Sequence, residues 1–213
     1  MTSYDLSHPI ESGMQTYPGD PPVWVEPHAE FTTEGYRVSA LSMGTHAGTH
    51  VDAPSHTQSA GATLGTYGIE AVRFDARLVD VRLGARAPIT VADLPGEPDA
   101  DLLVLHTGWD DHWGTDRYRD HPFLTREAAA WCADHGSHVA TDALSVDPTP
   151  SPNAGEEEPD GFVAHDALLG AGRLVYENLT GLDRLPSRFT LHAYPLAVDA
   201  DGAPVRAVAV TDD

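Results

Sequence analysis

Seven runs of strand character recur along the 213-residue chain, while only one segment is strongly marked as a helix. That imbalance limits the fold more than any other feature. The runs are Tyr36–Met43, Arg77–Leu83, Leu102–Trp109, His138–Leu144, Arg173–Leu179, Phe189–Val198 and Val205–Val210, most of them rich in Val and Leu and bounded by Gly, Pro or Asp. Asp199-Ala200-Asp201-Gly202, between the last two, reads as a hairpin turn. The marked helix is Arg126–His135: Thr125 can cap it, Glu127 suits its positive first turn and Gly136 can end it. A shorter helix is expected over His165–Leu169. The stretch Asp147–Gly161 carries four prolines and no apolar anchor beyond Ala154, so it is expected to be a surface loop. It is not a domain linker, because strand patterns resume on both sides. Helices are too few to cover both faces of a doubly wound sheet, and the expectation is one mixed α/β domain over residues 1–213.

Charge narrows the partners. Twelve basic residues, all arginine, stand against 33 acidic ones, for a formal net charge of −21. A field this negative repels phosphate backbones and anionic membrane surfaces, so neither nucleic acid nor membrane is an expected partner. Abundant Asp, missing Lys and acidity spread along the whole chain read as a surface adapted to high salt rather than a cation-attracting patch. The single cysteine, Cys132, excludes a disulfide framework and a cysteine-based zinc site, and its Ala-rich surroundings read as packing. No run approaches the roughly 18 apolar residues of a membrane span, and Met1–Pro18 lacks the pattern of a signal peptide. The expected location is the cytoplasm.

Three of the twelve histidines fall within eleven residues, in His46-Ala-Gly-Thr-His50-Val-Asp52-Ala-Pro-Ser-His56. Gly48, Thr49, Val51 and Pro54 make a poor helix, so this is not the helical arrangement of metalloproteases. Instead, a strand ending near Met43 would enter a tight turn in which Gly44 and Gly48 allow close backbone approach. Such a turn can aim His46, His50 and Asp52 at one centre. Imidazole nitrogens and a carboxylate at ~2.0–2.2 Å suit zinc, and three protein ligands leave a position for water. From the residues alone, His165 reads as a capping or surface histidine. Glu177 reads as a strand-end carboxylate, yet burying it in Leu174–Leu179 would be costly without a cation or donor beside it.

The segment resembles the HxGTHxDxPxH signature of the metal-dependent cyclase family, which includes bacterial kynurenine formamidases. The resemblance extends over nearly the whole chain, through Tyr4-Asp5-Leu6-Ser7, Tyr17-Pro18-Gly19-Asp20, Thr107-Gly108-Trp109, Asp142 to Asp147, His165 with Glu177 twelve residues later, and Pro204-Val205-Arg206-Ala207. It implies a compact, swivelling β/β/α-type single domain assembled as a dimer or tetramer. It also implies a two-metal site: His46, His50 and Asp52 on one ion, His165 on the second, with Asp52 and Glu177 bridging or serving both. The ions implied are zinc, with manganese an option at the more carboxylate-rich position.

The implied activity is hydrolysis of an amide or formamide C–N bond in a small aryl substrate such as N-formylkynurenine, by water activated at the metals. The sequence by itself leaves His56 open between a fourth ligand and a general acid/base; the resemblance assigns it proton transfer. Family members that act on N-formylkynurenine place a tryptophan against the substrate where this chain has Tyr17, which keeps an aromatic face and adds a hydroxyl. The alternatives are a cyclase, lactonase or dehydratase acting on a small oxo-acid or cyclic substrate, and a non-enzymatic metal-binding protein that retains the fold. Trp24 and Phe31 are expected in the core, Trp109 in the core or the pocket, and His106 in the core or at its rim. His112, His121, His135 and His138 show no ligand spacing, and Glu156–Asp160 reads as a solvated face.

Overall fold

The computed structural model describes residues 1–97 and 99–211. Twelve strands run in chain order: β1 (Thr2–Asp5), β2 (Trp24–Ala29), β3 (Val38–Ser42), β4 (His50–Asp52), β5 (Arg73–Asp80), β6 (Pro88–Ile89), β7 (Leu102–His106), β8 (Phe123–Leu124), β9 (His138–Thr141), β10 (Val175–Glu177), β11 (Arg188–Pro195) and β12 (Gly202–Thr211). The α-helices are α1 (Phe31–Glu34), α2 (Arg126–Asp134) and α3 (Val163–Gly170). Eight strands form one sheet in the order β1-β12-β11-β5-β7-β9-β10-β4, and a further pairing of β4 with β12 closes it into a barrel-like circuit. Strands β5, β7, β9 and β10 are mutually parallel, and β4, β11 and β12 run antiparallel to their neighbours.

Alternation along the strands sorts the side chains into two cores. Val51, Phe74, Ala76, Leu102, Val104, Ala140, Tyr176, Leu191, Ala203 and Val205 share the barrel interior. Leu103, Leu105, Val139 and Val175 face outward, against Ala128, Ala129 and Cys132 of α2 and Ala164, Leu168 and Leu169 of α3. Strand β7 is buried on both faces, which is why its sequence is continuously apolar. The Thr125 hydroxyl accepts from the Ala128 amide, as a cap should, and Cys132 is packed as expected.

Four expectations need correction. The histidine motif is not wholly a turn: His50–Asp52 is the short strand that closes the barrel. Trp24 and Phe31 are not core residues; they are 49% and 58% exposed, because among the described residues β2 and β3 pair only with each other, in a ribbon separate from the main sheet. The stretch after Val146 is not all surface loop, since Asp147 and Thr149 are buried at its start. Within Glu156–Asp160, Glu158 forms an ion pair with Arg86 rather than facing solvent freely. Trp109 and His106 are buried. No helix among the described residues is long and apolar enough to cross a membrane.

Candidate metal centre

The site lies where β4 is wedged between β10 and β12. Val51 and Tyr176 point into the barrel, so His50, Asp52 and Glu177, on the alternate positions, project to the opposite face, where α3 packs. Glu177 and His50 are direct cross-strand partners, as are Val175 and Asp52. On α3, His165 shares the buried helix face with Leu168 and Leu169 and therefore aims at the sheet. A residue from a motif near position 50 and two from the last third of the chain thus meet within hydrogen-bonding distance.

Asp52 is the hub. Its Oδ1 lies 2.6 Å from His46 Nδ1 and 3.3 Å from His50 Nε2, and its Oδ2 lies 3.3 Å from His165 Nε2. Glu177 reaches His165 Nε2 at 3.3 Å and His50 Nε2 at 3.6 Å, while its Oε1 also accepts from the Val146 amide at 2.9 Å. Two sets of donor atoms follow, His46/His50/Asp52 and Asp52/His165/Glu177, each with its atoms within 4.8 Å of one another and sharing Asp52.

The surroundings fix the orientation of these rings. His50 Nδ1–H donates to the Gly48 carbonyl at 2.8 Å, which leaves Nε2 facing the carboxylates. His165 is set in the same way by Asp147, whose Oδ2 accepts from His165 Nδ1 at 2.7 Å. Asp147 also accepts the amides of Ala164 and His165 at 2.7 and 3.0 Å, so one carboxylate both caps α3 and selects the tautomer of its histidine. Two glycines make the approach possible. Gly48 has φ +66°, and a Cβ there would press on Ile10 and Met14; a Cβ on Gly202 would sit 2.5 Å from His46 Cε1.

Electrostatically, the centre is built for added positive charge. Asp52 and Glu177 are buried, and among the described residues their ion pairs are with imidazoles alone, with no arginine at either. Burial would lower the pKa of His46, but the hydrogen bond and charge of Asp52, joined by Asp201, raise it to about 9. His165 behaves alike: burial opposes its charge, yet Glu177, Asp147 and Asp52 hold it well above the ordinary imidazole range. Asp52 is held well below the usual carboxylate range, because the histidines around it outweigh its burial. Buried carboxylates among oriented imidazole nitrogens are a donor set that a divalent cation satisfies.

A cavity of about 180 Å³ opens onto this cluster, lined by Tyr17, His46, His56 and Glu177 among others. His56 is part-exposed there; its ring centroid is 4.0 Å from that of His46 and its Nδ1 is 3.3 Å from Asp201 Oδ2. All seven residues named from the sequence therefore border one site. Sequence reading missed three others. Asp201, placed in a hairpin turn, lies 3.0 Å from His46 Nε2 and completes a third possible donor set, His46/His56/Asp201. Asp147 falls at the start of the stretch expected to be a surface loop. Asn178 adopts φ +58°; its Nδ2 donates to the Gly48 carbonyl at 3.1 Å while its Oδ1 accepts from the Tyr118 hydroxyl at 3.0 Å. None of the three carries a local signal: Asp147 lies fifteen residues ahead of Phe162, the N-cap of α3, and reaches that helix only through the fold.

Comparisons with known proteins point the same way. The Cyclase family model, described as "Putative cyclase", matches residues 4–148. A kynurenine formamidase from Erythrobacter litoralis is 33% identical over 96% of this chain and 92% of its own length. Among solved structures, isatin hydrolase A from Labrenzia aggregata bound to benzyl benzoate superposes with a TM-score of 0.85 at 22% identity, covering 99% of this chain and 94% of that one. A protein described as a potential metal-dependent hydrolase with cyclase activity superposes with a TM-score of 0.78 at 27% identity, covering 98% of this chain and 96% of that one. With the family model spanning most of the chain and its histidine motif lining the cavity, this protein belongs to the cyclase family.

Proposed function

We propose that this protein is a metal-dependent hydrolase that cleaves the C–N bond of a small aryl formamide or cyclic aryl amide. The observation that carries the reading is Asp52, a buried carboxylate shared by two sets of donors at the floor of a cavity whose wall holds Tyr17. The kynurenine formamidase relative supports formamide chemistry on an aryl ring. In this reading His46, His50 and Asp52 hold one ion and Asp52, His165 and Glu177 a second. Zinc suits the histidine-rich set, and manganese is accommodated by the second. Divalent ions held in this way acidify water and polarise a carbonyl oxygen.

The chain's own residues do the rest. Tyr17 offers the substrate ring an aromatic face. His56 is the acid/base: Asp201 Oδ2 engages its Nδ1, leaving Nε2 to exchange a proton with the substrate. Water oxygen joins the amide carbon as His56 takes up a water proton, the C–N bond breaks, and His56 passes that proton to the nitrogen, which leaves as an amine. A formamide gives formate and an arylamine.

The whole chain acts as one domain, since β4, β10 and β12 from distant parts of the sequence build the site. The enzyme is cytoplasmic and works as a homo-oligomer, dimer or tetramer. The β2–β3 ribbon supports assembly, because it leaves Trp24, Val25, Val38 and Leu41 exposed. The all-arginine, −21 surface supports a high-salt habitat, in which stability and activity both rise with molar salt.

The deciding experiment is turnover of N-formylkynurenine and formanilide by zinc- or manganese-loaded protein, against the same protein in chelator. Metal-dependent release of formate is the expected result. Turnover of a lactone with none of either formamide would move the reaction to the cyclase and lactonase class.

A further inference from the structure

Phe162 has no structural task that its position explains. It is the residue at the N-cap of α3, where Ser, Thr, Asp or Asn would add about 1 kcal/mol, and it makes no side-chain capping bond; Asp147 supplies that function from a distance. The residue is 46% exposed and belongs to none of the buried clusters. Yet its ring stands at the site. Its centroid is 6.0 Å from His165, nearly perpendicular at 88°, and 6.4 Å from Tyr17, tilted by 49°. Both separations fall within the range of favourable aromatic contacts.

Two cavities meet at this pair. The inner one, of about 180 Å³, reaches the histidines and Glu177. The outer one, of about 300 Å³, is lined by Arg86, Thr149, Pro150, Glu158 and Pro159. Tyr17 and Phe162 are the residues common to both among the described residues. A dry cavity of roughly 150 Å³ accepts one benzene ring, so the inner chamber has room for a single aryl ring and its amide and little more.

Building on the amide-hydrolase reading, we infer that Phe162 is the aryl-selecting residue of this site. With Tyr17 it forms an aromatic wall against which the substrate ring packs, the scissile amide pointing inward and any ring substituent outward into the second chamber. Phe162 touches the ring and not the reacting atoms, so it acts on recognition more than on the chemical step.

The test compares formanilide with N-methylformamide on metal-loaded wild-type, Phe162→Ala and Phe162→Tyr enzymes, alongside calorimetric binding of o-aminoacetophenone. In Phe162→Ala the ratio of kcat/KM for formanilide to that for N-methylformamide falls about tenfold, chiefly through KM, and Phe162→Tyr restores it to within about threefold. Binding of o-aminoacetophenone weakens about tenfold in Phe162→Ala. An unchanged ratio with unchanged probe binding overturns the inference, and so does an equal loss on both substrates accompanied by loss of metal, since that makes Phe162 a support for His165. If wild-type enzyme turns over neither formamide while Phe162→Ala still loses the probe, the reaction is misassigned and the aryl wall stands. If formamides are cleaved and Phe162→Ala behaves as wild type, the wall is wrong and the reaction stands.

Discussion

Two groups of shielded carboxylates in this molecule are neutralised in different ways. Around Arg86, a buried guanidinium pairs with Glu158 and with Asp120 at 3.6 Å and also donates to the carbonyls of Arg119 and Thr149 at 3.1 Å. Around Asp52 and Glu177 the partners are imidazoles, whose charge depends on protons. The chain has twelve arginines and uses none at the second group. A permanent cation fixed to the protein makes a static joint, which suits the loop that Arg86 ties down. A set of carboxylates and oriented imidazole nitrogens keeps its affinity for a cation brought from solution. The contrast separates structure from function more sharply than burial does, since both groups are withdrawn from water.

Exchanging the character of each group is the strongest way to break that contrast. Glu177→Gln keeps the shape and the acceptor for the Val146 amide but removes the charge, and is expected to lower metal affinity and to cut activity at least about a thousandfold, roughly 4 kcal/mol of barrier. Metal analysis and turnover of the same preparation check both. His56→Ala is expected to lower kcat by roughly 10²–10⁴ while the protein keeps its metal; loss of metal as complete as in His46→Ala would make His56 a ligand. Arg86→Ala should do the opposite of Glu177→Gln. It is expected to cost about 2–3 kcal/mol of stability in denaturant unfolding, because Glu158 and Asp120 lose their cation, with metal content retained.

A separate, pH-dependent effect concerns histidines outside both groups. His121 donates from Nδ1 to the Pro122 carbonyl and accepts at Nε2 from Thr149, and His138 Nδ1 accepts the Leu174 amide, so both are neutral where they are buried. Burial lowers each to about 4. With folded values below the unfolded ~6.5, the unfolded chain takes up protons first. The stability these residues contribute is complete above pH 6.5 and is lost as pH falls toward 4, by up to about 1.4 kcal/mol per pH unit for each. Asp142 runs against this, because burial raises it to about 7 and its contribution shrinks as pH rises toward that value. Denaturant titrations between pH 7 and 4.5 should show a net loss on acidification, with a shallower slope in His121→Gln.

The legibility of the sequence follows the range of the interactions. Strand β7 was readable because burial on both faces demands an unbroken apolar run, and α2 because Thr125 and Gly136 are local signals. The His46–His56 motif was readable for the same reason: its spacing lies within one segment. Asp201 was not, because its role depends on a register in which Gly202 sits opposite Asp52, about 150 residues away in sequence. Asp147 was hidden by its prolines, which mark a loop without marking that the loop begins inside the core. Trp24 and Phe31 mislead because bulk and hydrophobicity predict burial, while among the described residues the β2–β3 ribbon beside them pairs with no other strand and leaves both exposed.

Whether the Asp52 cluster is a two-ion centre is decided by metal content, measured on protein purified without chelator and located by anomalous scattering. Two divalent ions per chain are expected, both within bonding distance of Asp52, with a melting temperature that falls when chelator removes them. Protein that carries no bound metal, and melts at the same temperature with and without chelator, would contradict a two-ion centre.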